Sequence, residues 1–426
     1  MKHIIRALVL LLLTAPAALA DFEAGEAATK RGDYATAFNE FMPLAVQGHI
    51  RARHNIGVIY EKGLGRSQDY AIAASWYQLA AKQGFANSQN NLGDLYRDGN
   101  GVTQDYAAAA YWFSKGAEQG YALAQKNLGD LYENGQGVTR DHAKALELYR
   151  ASAAQGLAWG QVSLGRMYEN GQGVKKDQKA AAKWYQKAAD QNLPLAQNNL
   201  GSMYRNGDGV QRNALKALRW YRKAADQGHA LAQKNLGDMY RKGIAVTKDY
   251  DKALELYRKS ADQGERWGQL AIGRMYARGQ GVVKDFAEAA KWYRKAAEQS
   301  LPLAQNLLAN MYRGGVGVGR DDAEALKWYR AAALQGDAWS QFSLGRMYET
   351  GEGDAQNFAE AAKWYRAAAE QDEAWGQFSL GRLYEHGAGV PKNSAEALQW
   401  YGKAAKQGLE AATTALRKLQ SSSAKN

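Results

Sequence analysis

The sequence repeats itself at a fixed step of 36 residues. A Leu-Gly pair, or a close variant, returns ten times with no insertion or deletion between copies. A constant period of this length is typical of a solenoid, in which each repeat is one supersecondary unit. We number the repeats 1 to 10 and call the second residue of each pair the repeat glycine, although repeat 8 has alanine. The pairs are Ile56-Gly57, Leu92-Gly93, Leu128-Gly129, Leu164-Gly165, Leu200-Gly201, Leu236-Gly237, Ile272-Gly273, Leu308-Ala309, Leu344-Gly345 and Leu380-Gly381.

Each repeat is predicted to contain two helices. The first ends in a Gly-x-Gly turn such as Gly135-Gln136-Gly137, where Gly supplies the positive φ that stops a helix. The second begins at Asp or Asn, which are strong N-cap residues. In repeats 7 to 10 a Glu follows the N-cap by three residues, which predicts a capping box: Asp285/Glu288, Asp321/Glu324, Asn357/Glu360 and Asn393/Glu396. A single helix pair cannot bury its apolar face alone, so the core must form between neighbouring repeats.

The N-terminus has the features of a secretory signal peptide. Lys2 and Arg6 flank the start of an apolar run from Ala7 to Leu13, and Ala18-Leu19-Ala20 forms a small-x-small cleavage site. The run is short for a membrane span of about 20 residues, and no later stretch of the sequence could cross a bilayer. We therefore expect cleavage after Ala20 and a periplasmic or secreted protein with no integral membrane segment.

Five segments are expected. They are the signal peptide at 1–20, an N-terminal capping half-repeat at 21–48, the ten repeats at 49–408, a C-terminal capping helix at 409–420 and a disordered tail at 421–426. A longer period, equal to three repeats, is also present, because 121–156 matches 229–264 and 157–192 matches 265–300. Blocks of three repeats were therefore duplicated, and a binding site within one block should recur.

Composition limits the chemistry. The 426 residues contain no Cys, which excludes disulfides, thiol catalysis, Cys-based metal sites and an acylated lipoprotein anchor. The six His do not form a metal-binding spacing, and the carboxylates lie at caps and solvent-facing positions. We expect no catalytic residue, metal or cofactor. The formal charge is +12, or +10 once Lys2 and Arg6 are removed. Nucleic acid is not an expected partner of an exported protein, whereas acidic proteins or anionic envelope polymers are compatible with this charge.

The repeat pattern resembles a known family. It is Ala-x-Ala-Gln-x-x-Leu-Gly-x-Met/Leu-Tyr-x-x-Gly-x-Gly-Val-x-x-Asp-x-x-x-Ala-x-x-Trp-Tyr-x-x-Ala-Ala-x-Gln-Gly, with clear copies at Leu123–Gly156 and Leu231–Gly264. This pattern is similar to the Sel1-like repeats, relatives of the tetratricopeptide repeats. The resemblance implies an all-α, right-handed α/α superhelix that serves as a protein-interaction scaffold. One branch of that family has cysteine-bridged repeats linked to β-lactams, an activity not expected of a chain without Cys.

Four of the twelve Trp depart from the repeat pattern. Eight lie in second helices and are predicted to be core, whereas Trp159, Trp267, Trp339 and Trp375 lie six residues before the repeat glycine. At about 100° per residue, positions −6, −3 and +1 from that glycine form one stripe, about 165° from the packed positions −5, −1 and +3. We call it the first-helix stripe. In solenoids of this kind the first helices line the concave surface.

Four repeats carry Trp, an apolar residue and Arg on this stripe. They are Trp159/Val162/Arg166, Trp267/Leu270/Arg274, Trp339/Phe342/Arg346 and Trp375/Phe378/Arg382. In a structural interpretation Trp fills a gap beside a small residue, and Asp130–Arg166 and Asp238–Arg274 are ion pairs between repeats. In a functional interpretation the stripe binds a protein or peptide, since exposed Trp and Arg are enriched at interface hot spots.

The functional interpretation predicts a partner-binding concave face. Its residues are Trp159, Arg166, Trp267, Arg274, Trp339, Phe342, Arg346, Trp375, Phe378 and Arg382, with repeats 9 and 10 as the best ledge. The expected function is a monomeric, non-enzymatic exported scaffold for protein–protein interaction. The alternative is a cell-wall protein that binds or remodels peptidoglycan or another glycan, with the Trp rings stacked on sugars. A passive spacer is a third interpretation.

Overall fold

A computed structural model describes residues 20–423, so the predicted signal peptide up to residue 19 lies outside it. Within this range there are 23 α-helices and no strand. The helices are α1 Phe22–Arg31, α2 Tyr34–Val46, α3 Ile50–Lys62, α4 Tyr70–Lys82, α5 Ala86–Asp98, α6 Tyr106–Glu118, α7 Ala122–Asn134, α8 His142–Ala154, α9 Ala158–Asn170, α10 Gln178–Asp190, α11 Pro194–Asn206, α12 Ala214–Asp226, α13 Ala230–Lys242, α14 Tyr250–Asp262, α15 Arg266–Arg278, α16 Phe286–Glu298, α17 Pro302–Gly314, α18 Asp322–Leu334, α19 Ala338–Thr350, α20 Phe358–Glu370, α21 Ala374–His386, α22 Ser394–Lys406 and α23 Glu410–Ser423.

Helices α3 to α22 form the ten repeats, each with two helices of equal length. The all-α solenoid predicted from the period is confirmed. The chain forms two compact units, one reaching Trp220 and the other starting at Tyr221, with the boundary inside α12. Each unit is a stack of helix hairpins, in which a first helix packs on its own second helix and that helix packs on the next first helix.

The repeat glycine lets the two helices of a hairpin approach each other. In repeat 3 the ring of Tyr149 from α8 covers Gly129 of α7, and a Cβ at Gly129 would lie 2.6 Å from that ring. In repeat 10 a Cβ on Gly381 would lie 2.8 Å from the ring of Tyr401. Real side chains do not tolerate such distances, so the Leu-Gly pair encodes the close packing of an aromatic ring against helix backbone.

The Gly-x-Gly turn links the two helices of a repeat and contacts the preceding repeat. Gly135 ends α7 with φ +70°, and its N–H donates to the carbonyl of Leu131. Gly137, at φ +68°, lies against the start of α6 in the preceding repeat, where a Cβ would be 2.2 Å from the carbonyl carbon of Tyr106. The first glycine therefore stops the helix, and the second allows contact between repeats.

The predicted capping boxes form only in part. The Asp285 side chain caps α16 by accepting a hydrogen bond from the Glu288 N–H at 2.9 Å. The reciprocal bond is missing because the N–H of Asp285 already donates to the carbonyl of Tyr276 at 3.0 Å. The Glu288 carboxylate instead accepts from the indole N–H of Trp292 at 3.1 Å. The same exchange of partners occurs in repeats 8 to 10, so the box prediction is corrected at all four sites.

The eight second-helix Trp are less buried than predicted. Trp76 and Trp400 are buried, but the other six are half-buried. Lysine side chains cover several of these rings: the Lys295 ammonium lies 4.2 Å from the ring centre of Trp292, and Lys187 lies 4.1 Å from that of Trp184. These Trp thus seal the rim of the core instead of filling its centre.

The two ends of the solenoid differ from the expected boundaries. Residues 21–48 contain α1 and α2, a shortened hairpin in place of the expected half-repeat, because the helix-ending Gly32 is followed directly by the N-cap Asp33. The last helix, α23, runs to Ser423, so 421–423 are helical where a disordered tail was expected, and 424–426 lie outside the described residues. None of the described helices combines the length and apolarity needed to cross a membrane.

Candidate partner-binding face

The first helices lie on the inner side of each stack. In the first unit α5 contacts α7 and α7 contacts α9; in the second, α13 contacts α15 and α19 contacts α21. Among the described residues, successive second helices do not approach one another to the same extent. Side chains that project from the first helices are therefore crowded together, which suits a continuous recognition surface.

The four Trp of the first-helix stripe are exposed. The exposed fraction is 46% for Trp159, 36% for Trp267, 46% for Trp339 and 42% for Trp375. The helix geometry predicted this orientation for position −6. Large exposed aromatic rings are uncommon on a surface that serves no purpose, because each exposed ring costs free energy in water.

The middle position of the stripe is not exposed, contrary to expectation. Val162, Leu270 and Phe342 are buried, and Phe378 is half-buried. Because neighbouring first helices contact each other, residues at position −3 lie between them. Phe342 and Phe378 thus support the partner-binding face from below and do not line its surface.

In repeats 9 and 10 these rings form a continuous aromatic row. The ring centre of Phe342 lies 5.4 Å from that of Trp339 and 6.5 Å from that of Trp375. Phe378 continues the row, at 6.2 Å from Trp375 and 5.6 Å from Tyr401. Each spacing falls in the range of favourable aromatic pairs, so the Phe rings hold the two exposed Trp in place.

The predicted ion pairs Asp130–Arg166 and Asp238–Arg274 are both wrong. Arg166 pairs with Glu133 at 2.6 Å. Asp130 is held by Lys126 at 2.6 Å, four residues earlier on the same helix, and accepts a hydrogen bond from Tyr149. Asp238 is similarly occupied by Lys234 at 3.0 Å. A lysine one helical turn away reaches these carboxylates more easily than an arginine of the next repeat.

Whether a stripe arginine is paired depends on the residue 33 positions before it. Glu133 precedes Arg166 and Glu349 precedes Arg382 by this spacing, and both arginines form salt bridges with them. Arg274 and Arg346 are preceded by Arg241 and Arg313 instead, and neither forms a salt bridge within residues 20–423. Sequence reasoning missed Glu133 and Glu349, although their fixed spacing to Arg was visible.

Tyrosines of the second helices hold these carboxylates. The Tyr365 hydroxyl donates to Glu349 at 2.6 Å, and the Tyr149 hydroxyl donates to Glu133 at 2.7 Å. Burial, together with the hydrogen-bonded Glu349, raises the pKa of Tyr365 well above its usual range, so this hydroxyl stays protonated and keeps donating. The chain Tyr365–Glu349–Arg382 therefore fixes the guanidinium near the aromatic row.

Two cavities open at the stripe. One of about 400 Å³ in the first unit is lined by Trp159 and Arg166 together with Lys126, Asp130 and Glu133. The other, of about 380 Å³ in the second unit, brings Arg346 together with Arg313, Arg320 and Glu352. Glu352 is paired with Arg313 at 2.7 Å and Arg320 with Asp322 at 2.8 Å, which leaves the Arg346 guanidinium to attract an anionic group.

Several stripe residues of repeats 1 to 3 are polar and bond to other groups of the protein. His54 hydrogen-bonds Ser88 at 2.9 Å, Asn90 donates to Asp94 at 2.9 Å, and Asn127 donates to Asn90 at 2.9 Å. Burial raises the pKa of Asp94 to about 6, against the opposing effect of Arg97. Among the described residues no group of three His, Asp or Glu is placed to hold a metal ion.

Comparison with known protein families identifies the repeat. The family model described as the Sel1 repeat matches ten consecutive segments that follow one another from residue 50 to 409. They are 50–85, 86–121, 122–157, 160–193, 194–229, 230–265, 268–301, 302–337, 340–373 and 376–409.

Two solved structures are similar to this chain over long stretches. One is c5321, described as a protective antigen of uropathogenic Escherichia coli with an SLR fold; it shares 34% identity, with 99% of this chain and 91% of that chain covered, at a TM-score of 0.64. A Sel1 repeat protein of Oxalobacter formigenes shares 37% identity over 57% of this chain and 98% of its own, at a TM-score of 0.52. No curated protein matches the chain.

Proposed function

Because the chain belongs to the Sel1 repeat family, whose members generally serve as protein-interaction scaffolds, we propose that it is an exported scaffold that binds a protein or peptide partner on its first-helix stripe. The observation that carries this proposal is the set of four Trp exposed at the same position of their repeats. A stack of repeats supplies a rigid surface, and departures from the repeat pattern on that surface supply specificity.

Repeats 9 and 10 form the main recognition site in this proposal. Trp339 and Trp375 present exposed rings that Phe342 and Phe378 hold in place, so little side-chain entropy is lost on binding. Arg346, seven residues after Trp339 on the same helix, adds a positive charge that forms no salt bridge within residues 20–423. This combination suits a segment that carries apolar side chains next to a carboxylate.

The test is affinity capture from envelope extract followed by binding measurements with the purified captured protein. The variant combines Trp339→Ala, Trp375→Ala, Arg346→Gln and Arg382→Gln. We expect it to lose the captured protein while its thermal unfolding stays close to that of the wild type. Undiminished binding by a folded variant would refute the stripe as the recognition surface.

A matched control removes exposed apolar surface elsewhere. Tyr111→Ala and Leu334→Ala truncate exposed side chains on second helices, where Tyr111 is 54% and Leu334 is 72% exposed. Capture by this double variant should equal that of the wild type. Loss of capture in both variants would mean that binding depends on general surface hydrophobicity.

The aromatic row also allows a second function, binding of cell-wall glycan. Exposed Trp339 and Trp375 can stack on sugar rings as well as on peptide side chains. Sedimentation with purified peptidoglycan separates the two proposals. A scaffold for proteins stays in solution, whereas a glycan-binding protein pellets with the peptidoglycan. In the second case the Trp variant should stay in solution and the control variant should pellet like the wild type.

A further inference from the structure

A second surface lies at the turn edge, which we define as the residues around the start of each second helix. Three of these segments in the first unit belong to consecutive repeats: 139–144 of repeat 3, 175–180 of repeat 4 and 211–216 of repeat 5. They contain seven Lys or Arg and two Asp, a net charge of +5, and the seven cations are all exposed: Arg140, Lys144, Lys175, Lys176, Lys179, Arg212 and Lys216.

The fold brings these segments side by side. In repeats 4 and 5 the second turn glycine lies against the start of the preceding second helix. A Cβ on Gly173 would be 2.4 Å from the carbonyl oxygen of His142, and one on Gly209 would be 2.0 Å from that of Gln178. Arg140, Lys176 and Arg212, which hold the same position in successive repeats, therefore stack in one row. Positive charges from three repeats are concentrated on one edge.

Salt bridges do not explain these charges, although the ammonium groups of Lys144 and Lys216 lie 5.2 and 5.0 Å from the ring centres of Tyr132 and Tyr204. Arg140, Lys176 and Arg212 directly precede N-caps, where the helix dipole disfavours a cation. None of the seven cations forms a salt bridge within the described part of the chain. The residues equivalent to Arg140 in repeats 1, 2 and 9 are Gln68, Gln104 and Gln356, each of which donates to a backbone carbonyl, at 2.7 Å for Gln68. An uncharged Gln at this position thus stabilises the turn at least as well as a cation does.

The duplicated block provides an internal comparison. The equivalent segments three repeats later are 247–252, 283–288 and 319–324, with four Lys or Arg and seven Asp or Glu, a net charge of −3. There Arg320 pairs with Asp322 at 2.8 Å and Lys252 pairs with Glu255 at 2.7 Å. The positive edge is therefore specific to repeats 3 to 5 and is not a requirement of the repeat.

An exposed apolar side chain lies among the cations. Leu215 is 60% exposed and sits between Arg212 and Lys216 at the start of α12. Basic residues around an exposed leucine suit the interface of a membrane, where phosphate groups meet the cations and the apolar side chain enters the acyl boundary. A soluble polyanion offers no apolar environment in which the exposed leucine could be buried.

We propose that the turn edge of repeats 3 to 5 docks on the phosphate head groups of an anionic phospholipid surface, with Leu215 entering the interface. Such binding is peripheral and reversible, since one leucine buries little area and most of the attraction is electrostatic. The turn edge shares no residue with the first-helix stripe.

The test is vesicle flotation of the protein expressed without its predicted signal peptide. Phosphatidylglycerol vesicles are compared with phosphatidylcholine vesicles at low and at physiological salt. We expect binding to phosphatidylglycerol alone, weakening as salt rises. The variant Lys175→Gln, Lys176→Gln, Lys179→Gln, Arg212→Gln should bind at least roughly tenfold more weakly, since each cation near an anionic surface contributes to attraction. Leu215→Ser should weaken binding several-fold.

The control variant Lys248→Gln, Lys284→Gln removes cations from the acidic equivalent edge and should bind like the wild type. Circular dichroism melting checks that all variants fold. Equal binding to both vesicle types, or an unchanged affinity of the quadruple variant, would overturn the proposal. So would an unchanged affinity of Leu215→Ser combined with equally tight binding of soluble dextran sulfate, because the edge would then be a polyanion site.

Discussion

The first-helix stripe differs between repeats 1 to 3 and repeats 9 and 10, although both stretches share the same frame. In the early repeats stripe residues bond within the protein, as Asn90 does with Asp94 of the stripe and with Asn127 next to it. In the late repeats Trp339 and Trp375 leave about half of their surface in water. A polar network that satisfies itself offers few free groups to a partner, whereas exposed rings gain free energy on being covered. The two stretches thus differ in the surface that they offer to a partner.

The comparison first requires that the packing at the repeat glycine be equally sensitive to substitution in both stretches. Gly93→Val and Gly381→Val should each lower the free energy of unfolding by about 2–3 kcal/mol, because a side chain there collides with Phe113 or Tyr401. Urea unfolding followed by circular dichroism gives the loss. Gly402→Ala is the control, since its added Cβ meets no atom within 4 Å. A loss at only one of the two sites would show that the frames differ.

Binding should separate the stretches sharply. Trp339→Ala with Trp375→Ala is expected to weaken binding of the captured partner about 30-fold, or about 2 kcal/mol, as for an interface hot spot. Asn90→Ala with Asn127→Ala should change it less than twofold. Isothermal calorimetry with the purified partner measures both. The assignment of function to the late repeats fails if the Asn variant has the larger effect.

The polar stretch should show a pH dependence that comes from Asp94. The pKa of Asp94 is raised by burial to about 6, above its value of about 4 when unfolded. The folded protein therefore binds this proton more tightly, and the stabilisation is full below pH 4 and lost as pH rises through 6. Between pH 4 and 7.5 the free energy of unfolding of the wild type should fall by about 1–2 kcal/mol more than that of Asp94→Asn.

Melting curves of the wild type and Asp94→Asn at several pH values provide the measurement, because carboxylates common to both proteins cancel in the difference. Asp130→Asn is a suitable control, since Lys126 pairs with that carboxylate at 2.6 Å. A constant difference between wild type and Asp94→Asn across this pH range would contradict the expected titration.

The smallest effect is expected from the salt bridge on the stripe of the first unit. Arg166→Gln breaks the contact with Glu133, but the Arg166 side chain is 47% exposed, so solvent screens the pair. The free energy of unfolding should fall by less than about 1 kcal/mol. Glu133→Ala should cost more, because it removes the acceptor of the Tyr149 hydroxyl as well as the charge paired with Arg166. Equal losses in the two variants would show that the tyrosine contributes nothing.

The 36-residue period was sufficient to predict the fold because the two helices of every repeat pack in the same way. The caps, the turn glycines and the packed positions such as Ala124 and Leu128 follow from helix geometry alone. The exposure of Trp159 and Trp339 followed from the same geometry.

The remaining details depend on distances between helices. Phe342 is buried because the next first helix reaches it, and Glu288 bonds Trp292 because Tyr276 already occupies the N-cap N–H. Arg166 likewise pairs with Glu133 because Lys126 already occupies Asp130. A helical wheel contains no information about such competition between neighbours.

The second glycine of each turn has a consequence for how such a chain can change its length. Gly137 and Gly173 each close one junction against the backbone of the preceding repeat, and the two junctions use the same contact. Removing one whole repeat would join two surfaces that already fit, whereas removing a few residues would leave a gap. Copy number can therefore vary in steps of one repeat at little structural cost. The reach of the recognition surface is set by gene duplication, and its chemistry by point substitution.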